Sequence, residues 1–165
     1  MLKGFDAYRA EGVPLLDANS GFEPRTFDDE VYARWKTINR GPWRFAYDDE
    51  PEGADVERVM RMLRAEPAKR KRVYVLIGNE PFADCMRRVQ ETIDHGCEPH
   101  VQPIMKLNAL QRDPWVRFDW TDQKLRDVAR WANGWVWKKA PFAEYDRSMN
   151  LSRQPAVNEQ PGLFA

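Results

Sequence analysis

The chain has 165 residues, enough for one compact domain, and its 26 Lys and Arg balance 26 Asp and Glu to give no formal net charge. That balance excludes a generic nucleic-acid binder, whose phosphate contacts need surplus cations, and the 42% hydrophobic content excludes a disordered chain. No apolar run reaches the ~18 residues of a membrane span, and no signal-peptide core stands at the start, so the expectation is a cytoplasmic protein with no membrane partner. The two cysteines, Cys85 and Cys97, are too few for a disulfide framework, an iron–sulfur cluster or a structural zinc site.

Short β-rich runs alternate with helical stretches. Val13 to Ala18 is the first strand candidate, followed by the polar turn Asn19 to Arg25. Thr26 reads as an N-cap with Asp29 three residues on, and Phe27, Val31, Trp35 and Ile38 keep helical spacing until Gly41-Pro42. Trp43 to Tyr47 is the second strand, closing in Asp48-Asp49-Glu50. Val56, Val59, Met60 and Leu63 then form an amphipathic stripe. The basic run Lys69 to Arg72 reads as a solvated connection to Val73–Ile77. The continuous apolar character of Val73–Ile77 predicts a strand covered on both faces. Gly78-Asn79-Glu80-Pro81 is its turn, and Met86, Val89 and Ile93 mark the next helix.

The fourth strand run is His100 to Met105, with Pro103 arguing for an edge position. The last helix runs from Asp122 to about Trp137, with Leu125, Val128, Ala129, Ala132, Trp135 and Val136 on one face. Residues 1–145 thus read as one α/β unit of about four parallel strands with flanking helices. From Asp146 the composition turns to Ser, Gln, Asn and Pro, so 146–165 reads as a flexible tail.

Ligands of parallel βα proteins bind beyond the carboxyl ends of the strands. The polar strand ends here fall on one rim, which favours a ligand site over a mere set of turns. Other features take plainer readings. His95 and His100 flank Cys97 at spacings that match no zinc pattern, Cys85 reads as a packed small residue, and the seven tryptophans read as core or interface.

Several segments, in order, resemble the later part of radical S-adenosylmethionine (SAM) proteins of the phage and bacterial type. They are Asn19 to Arg25, Arg44 to Asp49, Val73 to Pro81, Glu98 to Met105, and the helix Ala129-Arg130-Trp131-Ala132-Asn133. The resemblance covers about residues 13–145. It implies a partial (βα) barrel in which a [4Fe–4S] cluster lies beside SAM. It also implies roles at the rim: Asn19 and Ser20 meeting a polar part of the ligand, and Asp48 and Asp49 accepting from ribose hydroxyls. Gly78 and Asn79 lie in the adenine-motif turn, Ile77 packs on the base, and the backbone from Gln102 to Met105 reads adenine edges. The family's Cys-x3-Cys-x2-Cys loop has no counterpart here, so the chain carries no cluster ligands and no catalytic residue of its own.

The expectation is therefore a SAM-binding half of such a protein, corresponding to the later strands and inactive alone. It would associate with a complementary barrel half or with itself. The alternatives are a non-catalytic α/β interaction module, or an enzyme half completed by a second chain that carries the [4Fe–4S] site. The sequence ends Gln160-Pro161-Gly162-Leu163-Phe164-Ala165, which resembles the short peptide by which bacterial proteins dock on the DNA sliding clamp. Gln160, Leu163 and Phe164 would make that contact; the plainer reading has Leu163 and Phe164 folding back on the domain.

Overall fold

The computed structural model describes residues 10–18, 21–106 and 113–149. Four helices lie wholly within them: α1 (Asp29–Lys36), α2 (Gly53–Met62), α3 (Phe82–Asp94) and α4 (Asp122–Asn133). They alternate with three strands, β1 (Trp43–Tyr47), β2 (Lys71–Ile77) and β3 (Glu98–Pro103). The strands pair in parallel in the order β1-β2-β3, with Phe45 opposite Val73 and Val75 opposite Val101. The protein is a mixed α/β structure. Because each crossover returns to the adjacent strand, the connecting helices stack on one face of the sheet.

The core follows from this one-sided arrangement. Alternate strand residues Val73, Val75, Ile77 and Val101 point into a cluster with Val56 and Met60 of α2, Cys85 and Val89 of α3, and Leu125, Val128 and Trp131 of α4. Trp43 and Phe45 meet Val31 and Trp35 of α1, Val59 of α2 and Leu63, with Phe22 and Phe27 filling the space between rings. The stripe of α2 is therefore as its spacing predicts, all four residues buried.

Five sequence expectations about the fold change, two of them at helix ends. The Val13–Ala18 run is not a strand: Leu15 makes an isolated parallel bridge to Asn39, and it is Phe22 that bridges β1 at Phe45, its N–H donating to the Arg44 carbonyl at 2.7 Å. Pro14 removes a donor early in the run, and Leu16 is left exposed. Helix α1 is capped by Asp28, whose Oδ1 accepts the Val31 N–H at 2.8 Å, while Thr26 ends a short 3-10 turn upstream. Helix α4 stops at Asn133, because Trp135 takes a left-handed backbone (φ 56°) that throws its ring outward into solvent.

The strand β2 is covered by helices on one face only, since Arg72, Tyr74 and Leu76 remain partly exposed on the other. The basic run before it is also more than a solvated link. Arg70 donates to the Asn39 and Gly41 carbonyls and pairs with Glu66, and Lys71 is buried as the first residue of β2.

The two outer strands end the sheet differently. On β3 the outward-facing backbone groups belong to Pro99, Val101 and Pro103, and the prolines have no N–H to offer. The one remaining pair is occupied by Asn133 of α4, whose Oδ1 accepts the Val101 N–H at 2.7 Å and whose Nδ2 donates to the Val101 carbonyl at 2.9 Å. A side-chain amide thus replaces the next strand. On the β1 side the bridge found among the described residues is a single one, from Phe22.

Of the expected tail, Asp146–Met149 is described. It forms a turn in which Arg147 makes a forked pair with Asp127 of α4, both distances 3.0 Å. Gln160, Leu163 and Phe164 lie outside the described residues.

Candidate functional site

The carboxyl ends of all three strands meet on one rim, organised by a residue that the apolar spacing passes over. Arg88 of α3 has no exposed surface, yet it carries a charge. Its guanidinium donates to the Tyr47 carbonyl at 2.7 Å and to Asn79 Oδ1 at 3.2 Å, and pairs with Glu80 at 2.8 Å. It therefore ties the end of β1 to the turn after β2. The fully buried stripe of α3 is Cys85, Arg88, Val89 and Thr92; the stripe read from Met86, Val89 and Ile93 shares Val89 with it, while Met86 and Ile93 pack half-buried against its margin. The signal was present, at i, i+3, i+4 and i+7, but a charged residue within it hides the pattern.

Around Arg88 the expected site residues divide. Asp48 and Asn79 come together, the Asn79 amide donating to the Asp48 carbonyl at 2.6 Å. Asp48 and Asp49 keep exposed carboxylates. Partial desolvation raises the Asp48 pKa, Arg88 opposes that, and Asp49 and Glu23 add to it. Gln102 is exposed at the end of β3, and Met105 forms an antiparallel bridge with Pro114.

Two residues are placed differently from their expected roles. Ile77 points into the helix-side core with no exposed surface, so it has no face to lay against a base. Gly78 (φ 89°) does permit a close approach, but by the protein's own chain. A Cβ there would lie 3.2 Å from both Ile104 Cγ2 and Leu125 Cδ2. Asn19 and Ser20 lie outside the described residues.

The helix-free face of the sheet carries a polar row that the sequence reading did not assemble. The register sets Arg44 beside Arg72 and Glu98, and Ala46 beside Tyr74 and His100. Arg44 donates to the Tyr74 hydroxyl at 2.9 Å and to Asp17 at 2.7 Å, and the Tyr74 ring stands edge-on to His100 with centroids 4.9 Å apart. Burial, then Arg72 and Arg44, hold His100 below the ordinary imidazole range, so this face presents a neutral imidazole at neutral pH. Such period-2 polar residues are visible in the sequence only once the strand faces are known.

The two cysteines do not fit an iron–sulfur cluster. Cys85 packs near the carboxyl rim, its thiol 3.5 Å from the Glu80 carbonyl, while Cys97 precedes β3 at the opposite end of the sheet. Burial pushes the Cys97 thiol up to about 11. Among the described residues, no group of three His, Cys, Asp or Glu is arranged to hold a metal ion, and no helix is long and apolar enough to cross a membrane. Comparison of the chain with protein-family models, with curated proteins and with solved structures returns no match.

Proposed function

We propose that the chain is the SAM-binding part of a radical SAM protein, forming the later strands of a partial (βα) barrel. The cluster cysteines would lie on another polypeptide segment, and the chain alone would have no activity. The observation that carries the reading is the form of the sheet. Three parallel strands stand in sequential order with helices on one face, and the opposite face is polar. The outer edge of β3 is sealed by Pro99, Pro103 and Asn133, as suits a last strand, whereas among the described residues only Phe22 bridges β1 on its outer side. A complementary barrel half would join on the β1 side.

When bound with a cluster, SAM supplies a radical by reductive cleavage. This chain's contribution is to bind and orient. The exposed carboxylates of Asp48 and Asp49 accept from ribose hydroxyls, and Gln102 offers an amide beside the backbone of 103–105. Arg88 is a positioning residue, since from within the core it holds the Tyr47 carbonyl and the Asn79 side chain, whose amide in turn donates to the Asp48 carbonyl.

Co-expression with the product of the adjacent upstream gene tests the proposal. The expected result is a brown complex that contains the cluster, while anaerobic iron–sulfide reconstitution of this chain alone gives no cluster absorbance. A stable [4Fe–4S] cluster on the isolated chain would overturn the reading. No complex, together with no SAM binding, would leave an α/β interaction module in its place.

A further inference from the structure

The loop between β3 and α4 turns three large side chains out at the same rim. Trp115 is 41% exposed and Phe118 56% exposed, while the Arg117 guanidinium lies 4.6 Å from the Trp115 centroid and 5.1 Å from that of Phe118. Arg117 has no ion pair among the described residues. Phe118 has a left-handed backbone (φ 53°), a conformation that a bulky side chain rarely adopts and that persists only when the surroundings impose it.

The surroundings here are firm. Trp115 N–H donates to the Ile104 carbonyl at 2.9 Å, Asp119 accepts the Phe82 N–H at 2.8 Å, and the buried Trp120 indole donates to the Glu80 carbonyl at 2.8 Å. The Trp115 carbonyl also faces the Gly78 turn. Phe118 thus keeps a strained backbone on a loop held at Trp115, Asp119 and Trp120 while showing more than half of its surface to solvent.

We infer that Trp115, Arg117 and Phe118 form the base-stacking subsite of the rim, taking the adenine of a purine nucleoside or nucleotide whose anionic group meets Arg117. The inference rests on the reading of the rim as a nucleoside site, and it supplies the flat apolar contact that the buried Ile77 cannot make. Aromatic faces accept bases by stacking, and a cation already seated between two rings adds charge complementarity to a carboxylate or phosphate.

The test is nuclear magnetic resonance titration of the 15N-labelled chain with S-adenosylhomocysteine, AMP and adenosine. The Trp115 indole resonance is assigned by its loss in Trp115→Phe. The expected result is that this resonance moves with all three ligands, and that AMP binds more tightly than adenosine. Trp115→Ala and Phe118→Gly should each weaken AMP binding by at least about 5-fold. Arg117→Gln should erase the preference for AMP. Because Phe118→Gly relieves a left-handed strain and removes an exposed ring, its melting temperature should not fall, which separates a lost contact from a lost fold.

S-adenosylhomocysteine binding that is unaffected by these substitutions overturns the subsite and leaves the proposed function standing. AMP binding through the loop, with no binding of S-adenosylhomocysteine, upholds the subsite and overturns the SAM reading. Binding of none of the three overturns both.

Discussion

Replacing Arg88 by methionine removes the charge that joins β1 to the turn after β2 while keeping most of the buried stem. Four groups lose a contact: the Tyr47 carbonyl, Asn79 Oδ1, Cys85 Sγ and the Glu80 carboxylate. Breaking one side of a buried ion pair costs about 3–5 kcal/mol, because the remaining charge stays desolvated. The Glu80 side chain is 24% exposed, so water can solvate part of it, and the lower end of that range applies. Loss of the charged donor to the Tyr47 carbonyl adds about 1 kcal/mol. The expected loss is therefore about 4 kcal/mol, or roughly 8–16 °C in melting temperature for a domain of this size.

Urea unfolding followed by tryptophan fluorescence measures the loss directly. Glu80→Gln in the Arg88→Met background should recover at least about 1 kcal/mol, since it removes the stranded charge. A cost below about 1 kcal/mol for Arg88→Met, or no coupling between the two substitutions, would show that Arg88 does not organise the rim.

Three further outcomes follow from the same geometry. Asn133→Ala should destabilise the fold by about 1–3 kcal/mol and unseal β3, seen as concentration-dependent association in light scattering. Asp28→Ala should cost about 0.5–2 kcal/mol in denaturant unfolding, because it removes the α1 cap on Val31. Burial raises the Cys97 thiol from about 9 in the unfolded chain to about 11, so the native state holds its proton longer than the unfolded state. Stability should therefore fall as pH rises from about 9 to 11 and be unaffected by that thiol below pH 8; in Cys97→Ala this part of the fall should vanish from pH-dependent unfolding curves.

Much of this architecture is legible in the sequence because its determinants are local. The Val56, Val59, Met60 and Leu63 stripe, the β2 run and the Gly78 turn each show a period or a breaker within a short window. The failures have a common cause, which is that long-range contacts settle them. Val13–Ala18 has the composition of a strand and Leu15 joins the same core, yet Phe22 takes its place beside β1, where its ring packs against Phe27, Trp35 and Trp43. A continuous apolar run cannot tell a doubly covered strand from one whose second face holds Tyr74 and Leu76 half-exposed. At the site, acidic strand ends are visible as composition, whereas the burial of Arg88 is hidden until its helix face is fixed.

The two faces of the sheet bear on the binding proposal in different ways. On the helix side Ile77, Cys85, Val89 and Leu125 have no exposed surface and are committed to the core; a cleft of about 470 Å³ opens there between α2 and α3, lined by Tyr47, Glu57, Glu91 and His95 and not by Asp48 or Asp49 of the rim. The other face and the rim are where polar groups remain within reach of solvent, and they are built by strands whose order and direction place Asp48, the Asn79 turn and Gln102 at one end. Arg88 lies beneath that end, sealed from solvent, and holds the backbone that presents it. Binding therefore need not disturb packing, and a substitution at Asp48, Asp49 or Gln102 should separate from one at Arg88. The first group should alter ligand affinity with little change in urea midpoint; the second should lower the midpoint and weaken affinity only through the misplaced rim. Equal losses of stability in both groups would mean that the exposed carboxylates are structural, and that the rim is held together from outside rather than from the core.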